Sequence, residues 1–145
     1  MNQVPAFERV QYTDKEGNLT PGVNNNLQQL YATLRGYAQL INVTASPQII
    51  SPSIKYYDNF LGTTVFTLPT VAQFGDFFAI IGGPSGGWSL HQSALQQIQY
   101  GTLFTTVGIT GSLNAAAIGS CAFLICTNPN LGFSVESFVG TLTVT

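Results

Sequence analysis

Few side chains in the C-terminal two thirds of this 145-residue chain could do chemistry: Asp58, Asp76, Glu136, His91, Cys121 and Cys126. Glycan hydrolysis takes two carboxylates held several ångströms apart, which makes Asp58, Asp76 and Glu136 the candidates. Asp76 follows Gly75 at a turn, where a carboxylate naturally closes a local backbone hydrogen bond. Glu136 alternates with Phe133 and Val135 and reads as the polar face of a strand. An acid and base pair therefore exists only if folding brings distant residues together, and no catalytic residue is assigned.

His91 is the only histidine. It alternates with Trp88 and Leu90, so it projects to the side opposite them. A metal site needs partners that the sequence does not offer, although copies of His91 could meet on the axis of a trimer. The segment GPSGG at 83–87 lacks the spacing of a nucleophile elbow, and no lysine follows it as a phosphate loop requires; it reads as a turn. Asp14, Glu16 and Asn18 lack the remaining ligands of a calcium loop. Cys121 and Cys126 share the apolar run CAFLIC; as a strand it sets their Cα atoms roughly 16 Å apart on opposite faces, beyond a disulfide or a shared metal. Both read as small buried apolar residues, and no cofactor is expected.

Aromatic side chains offer flat, amphipathic contact surface, so Tyr56, Tyr57, Trp88 and Tyr100 are the candidate ligand contacts. The competing reading places them in the core or between subunits, since a β domain of this size needs large side chains to fill it.

These residues sit in a chain with 7% charged residues, 45% hydrophobic residues and a formal net charge of −2. Beyond Asp76 the only charged side chain is Glu136. So little charge leaves a monomer poorly protected against association and points to a surface covered by other subunits. No basic patch favours nucleic acid, and no apolar stretch approaches the roughly 20 residues of a membrane-spanning helix. No signal peptide is read, so synthesis in a cytoplasm is expected.

Four segments are expected. Residues 1–22 form an extended arm with few apolar groups, Phe7, Val10 and Tyr12 among them. Residues 23–42 form a short helix whose Leu27, Leu30, Leu34, Tyr37 and Ile41 step three and four residues at a time along one face. That face either lies on its own domain or joins identical chains in a short bundle. Residues 43–53, bracketed by Pro47 and Pro52, suit a linker leading into an edge strand. Residues 54–145 carry the β domain, organised around Phe60 to Gly101, where short apolar runs are cut by Gly and Pro. The run Phe77 to Ile81 fits a strand in the middle of a sheet. Further strands are predicted at 54–57, 63–68, 88–92, 96–100, 104–109, 121–127, 133–138 and 141–144, with a loop over 108–119. Their count and spacing predict an antiparallel β-sandwich or jelly-roll-like domain.

Two parts of the chain resemble phage virion proteins. The opening VPAFERVQYTDKEGNLTP, followed by a polar helix, is similar to the N-terminal segment of small tail, neck or head appendage proteins. The stretch FTLPTVAQFGDFFAIIGGPSGGWSLHQSALQQIQYG, then TTVGITGSL, resembles modules at the ends of trimeric phage fibres. The resemblance implies that the arm anchors in a virion socket through Phe7, Val10 and Tyr12, that the helix joins three chains, and that the β domains project outward. It implies a non-enzymatic homotrimeric fibre or capsid or tail appendage located in the virion. Its partners are then itself and other virion proteins, with no nucleic acid and no membrane. The alternative is a receptor- or glycan-binding module for host attachment.

Overall fold

Residues 39–84 and 86–145 are described by a computed structural model of the chain, and all belong to one compact unit, Tyr37–Thr145. The expected arm and the helix residues Leu27, Leu30, Leu34 and Tyr37 lie outside the described residues, as do Phe7, Val10 and Tyr12. The described part is mainly β. In chain order the strands are β1 (Leu40–Val43), β2 (Gln48–Ile49), β3 (Lys55–Asp58), β4 (Thr64–Thr67), β5 (Phe77–Gly82) and β6 (Trp88–His91). They continue as β7 (Gln97–Tyr100), β8 (Leu103–Phe104), β9 (Ser112–Ala115), β10 (Cys121–Asn128), β11 (Gly132–Val139) and β12 (Leu142–Val144).

The strands build a seven-stranded sheet in the order β1-β3-β5-β10-β11-β7-β8 and a five-stranded sheet in the order β12-β9-β6-β4-β2. Read side by side, the two orders match. β1 stands with β2, β3 with β4, β5 with β6, β10 with β9 and β11 with β12, and each matched pair is joined directly in sequence. The first six strands thus wind from one sheet to the other and back. Their neighbours within each sheet run parallel: β1, β3 and β5 in one, β2, β4 and β6 in the other. Four antiparallel pairings close the structure: β5 with β10, β10 with β11, β6 with β9, and β9 with β12.

Apolar side chains from both sheets meet in one core. Tyr56, Phe78, Ile80, Leu124 and Phe133 come from the larger sheet, and Phe66, Trp88, Leu90 and Leu113 from the smaller. The rings of Tyr56 and Phe66 meet edge to face with centroids 6.2 Å apart, linking β3 to β4 across the layers. Burying each such side chain contributes about 1.5–3 kcal/mol before the entropy of ordering it is subtracted. The turns between layers are closed by polar contacts. The buried Asp58 carboxylate at the end of β3 accepts from Thr64 Oγ1 at 2.6 Å and from the Phe60 N–H at 3.2 Å. At the opposite end of the strands, buried Gln92 donates from Nε2 to the carbonyls of Gln96 and Thr106 and accepts from Thr105 Oγ1 at 2.6 Å. Gln96 in turn donates to the Pro69 carbonyl at 2.7 Å.

Four expectations are corrected. The sheets are mixed, not antiparallel as in a jelly roll, because consecutive strands change layer instead of turning back as hairpins. Leu40–Val43 is a strand, so Ile41 is a half-buried β1 residue packed on the core and not a helical interface residue. The segment 43–53 is part of the β unit, since it ends β1 and contains β2. Finally, β9 lies inside the expected loop 108–119, while the run 104–109 is strand only at Phe104. Beyond it the backbone leaves the sheet, with the Thr106 carbonyl held by Gln92.

Candidate functional site

The three carboxylates stand apart within one chain. Asp58 is aligned with Gly82, at the far end of β5 from Asp76. Six positions at about 3.3 Å each separate these levels by roughly 20 Å. Asp76 closes its own turn by accepting from the Gln73 N–H at 2.8 Å, as the sequence predicts. Glu136 is the extra residue of a bulge in β11, between Val135, which faces Leu124, and Ser137, which faces Phe123. Two strands and two to three residues separate it from the start of β5, about 13 Å from Asp76 by strand spacing. The strands thus hold Asp58 and Asp76 at opposite ends of β5, and Asp76 and Glu136 two strands apart.

His91 ends β6, aligned with Thr67 on one side and Ser112 on the other, with its side chain half-buried on the face opposite Trp88 and Leu90. No group of three or more His, Cys, Asp or Glu side chains able to hold a metal occurs among the described residues. Both thiols are free; Cys121 is half-buried and Cys126 fully buried. Burial pushes the Cys126 thiol above its ordinary pKa, against the smaller opposing pull of backbone hydrogen bonding with Asn130 and Asn128, and the charge of Asp76 raises it further. Such a thiol stays protonated and unreactive at neutral pH.

Of the four aromatic candidates, the core claims two. Tyr56 is 2% exposed, and its hydroxyl accepts from the Ser51 N–H at 2.8 Å. Trp88 is 1% exposed, and its indole N–H donates to the Ser120 carbonyl at 2.8 Å. Neither reaches a ligand. Tyr57 is half-buried on the outer face of the larger sheet, in the row of Asn42 and Ile81. Tyr100 lines an open cavity.

That cavity follows from the strand count. With five strands of the larger sheet matched one to one, β7 and β8 overhang the smaller sheet. The Gln92 and Gln96 network and the chain from Thr105 to Gly111 cover one end of the overhang, burying Ile98 and Thr105. The other end is an open groove of about 580 Å³, walled by Tyr100, Leu103, Val135, Glu136 and Phe138, with Thr102 and Ser137 at its polar margin. The rings of Tyr100 and Phe138 meet edge to face with centroids 5.0 Å apart and planes 82° apart. Phe138 is 47% and Leu103 54% exposed, so the apolar wall is open. Sequence reasoning missed Leu103 and Phe138. The readable signal was Glu136, a lone charge in an uncharged half of the chain.

On the outer side of the same strands lies a smaller cavity of about 210 Å³, lined by Leu95, Phe104 and Val107 together with the neutral amides of Gln97, Gln99 and Asn128. Leu95 holds its backbone at φ 66°, a left-handed conformation unusual for leucine, and its side chain is 71% exposed. Compared with known proteins, the chain matches no family model and no curated protein.

Proposed function

We propose that the protein is a non-enzymatic structural component of a phage virion, a homotrimeric short fibre or capsid or tail appendage. Residues 1–22 anchor it, the helical segment joins the chains, and the β domain projects outward. The phage assignment draws on the sequence resemblance of the arm and of the stretch from Phe66 to Gly101. The observation that carries the self-associating role is the surface of the β domain. Residues 39–145 contain only Lys55, Asp58, Asp76 and Glu136 as charged side chains, and Asp58 is buried. Large apolar side chains stand in the open, among them Leu61 at 86%, Phe74 at 76% and Ile109 at 72% exposure. A surface so poor in charge and rich in exposed apolar groups supports a protein whose working form covers it with further copies or with other virion proteins. Mass measurement of the full chain in solution tests the reading. Three chains per particle is the expected result, and a clean single-chain mass overturns it.

A second reading, attachment to a host-surface glycan, is favoured by the uncharged cavity beside Leu95. Phe104 lines it with an aromatic side chain, and Asn128 offers a neutral amide beside those of Gln97 and Gln99, which also donate to the Thr105 and Gly101 carbonyls. Neutral sugars are held by this combination of stacking and amide contacts. A glycan array probed with the full chain and with Phe104→Ala tests it; signal lost in the variant is expected, and equal signal from both proteins overturns it.

A further inference from the structure

Residues 77–145 contain one charged side chain, and it lines an aromatic groove. The bulge at Glu136 is what puts it there, since an extra residue in one strand re-aims a side chain away from the alternation of the sheet. The only lysine or arginine among residues 39–145 is Lys55. Lys55 is aligned through Ala79 and Phe123 with Ser137, next to Glu136, across three strand spacings or about 14 Å of backbone.

We propose that the groove of Tyr100, Leu103, Val135, Glu136 and Phe138 binds an organic cation, an ammonium or guanidinium group carried on an apolar body. Ring faces carry negative potential and attract such a cation within about 6 Å, more strongly where water is displaced. Tyr100 and Phe138 stand nearly perpendicular in the lining of the groove, and Glu136 supplies the counter-charge. Leu103 and Val135 extend the site with apolar surface. At about 580 Å³ the groove is much larger than a bare ammonium group and accommodates the body that carries it. A neutral apolar ligand gains nothing from the exposed Glu136 carboxylate, and an anion is repelled by it. A cation uses the rings and the carboxylate together.

The test is titration of the full chain with benzyltrimethylammonium, choline, N-acetylarginine amide and the neutral choline isostere 3,3-dimethylbutan-1-ol, followed by the tyrosine and phenylalanine ring resonances in NMR. The cations are expected to shift the rings of Tyr100 and Phe138 saturably, and the isostere to bind at least about fivefold more weakly. Glu136→Gln, an exposed bulge position expected to leave folding intact, should weaken the cations by about the same factor and leave the isostere unchanged. A tighter fit for the quaternary ammonium compounds assigns the site to free or headgroup cations; a tighter fit for the arginine amide assigns it to a side chain of another protein. Equal binding of choline and its isostere, undiminished cation binding in Glu136→Gln, or no saturable shift with any cation overturns the proposal. Because the readout is ligand binding, it stands or falls separately from the number of chains in the particle.

Discussion

The indole N–H of Trp88 donates to the carbonyl of Ser120 at 2.8 Å, joining the first residue of β6 to the residue that precedes β10. One strand belongs to the five-stranded sheet and the other to the seven-stranded sheet. A buried side chain thus pins the layers at the end where β5 crosses to β6 and β9 crosses to β10. Trp88→Phe removes one of the two donors to that carbonyl, which keeps the Gly82 N–H, and leaves a void. It is expected to destabilise the fold by about 2–4 kcal/mol, read as a lowered denaturant midpoint with unchanged slope.

Close approach of the turns predicts a contrast between two glycines. A Cβ on Gly83 would fall on the backbone carbonyl of Asp58, whereas one on Gly75 meets nothing within 4 Å and is opposed only by a backbone φ of +86°. Gly83→Ala should cost about 3 kcal/mol, because backbone cannot yield as a side chain can. Gly75→Ala should cost about 1–2 kcal/mol from left-handed strain alone. Thermal unfolding of the two variants side by side checks the order; equal losses would refute it.

Gln92 predicts a local effect as well as a global one. Its amide holds the carbonyls of Gln96 and Thr106 and the hydroxyl of Thr105, all within the covered end of the overhang. Gln92→Ala takes the amide donor from the Thr106 carbonyl, while the Gln96 carbonyl keeps the Gly108 N–H and the Thr105 hydroxyl keeps the Ile98 N–H, and it is expected to cost about 1–3 kcal/mol. Amide hydrogen exchange should rise first in residues 105–111, ahead of β5 and β10.

The cysteines should separate cleanly by reactivity and by pH. Cys121 is half-buried and Cys126 fully buried, with its thiol pKa raised by that burial. A thiol reagent is expected to modify Cys121 in the native protein and Cys126 only on unfolding. Since the folded state holds the Cys126 proton more tightly than the unfolded state, the thiol does not alter stability below the ordinary thiol pKa. As pH rises from there toward the raised native value, the unfolded chain loses its proton first and stability falls. Cys126→Ser should remove that alkaline decline, as measured by denaturant midpoints across the alkaline range.

How much of this was legible depended on whether the information is local. The run FFAII is bounded by glycines and was readable as a central strand, and WSLH was readable from its alternation. Parallel pairing was not readable, because periodicity reports which face a residue takes and not which strand lies beside it. The same limit hid β9, whose SLNA lacks the branched and aromatic residues that mark strands. In the groove, Glu136 could be singled out by its isolation. Its companions could not: Tyr100 and Phe138 meet only because β7 lies parallel beside β11.

The winding of the first six strands bears on how such a chain can change length. Lys55 is aligned with Ala79 and Thr64 with Trp88, so in the second circuit both layers advance by 24 positions (55 to 79 and 64 to 88), whereas in the first they advance by 15 and 18 (40 to 55 and 48 to 66). Each circuit rests on the next as one course of bricks rests on another, and only the antiparallel strands after it act as a lid. A duplication of one whole circuit would add height while leaving the lid and the groove at its far edge intact. The β domain is in this sense modular along one axis, and its reach can be set by copying instead of redesign.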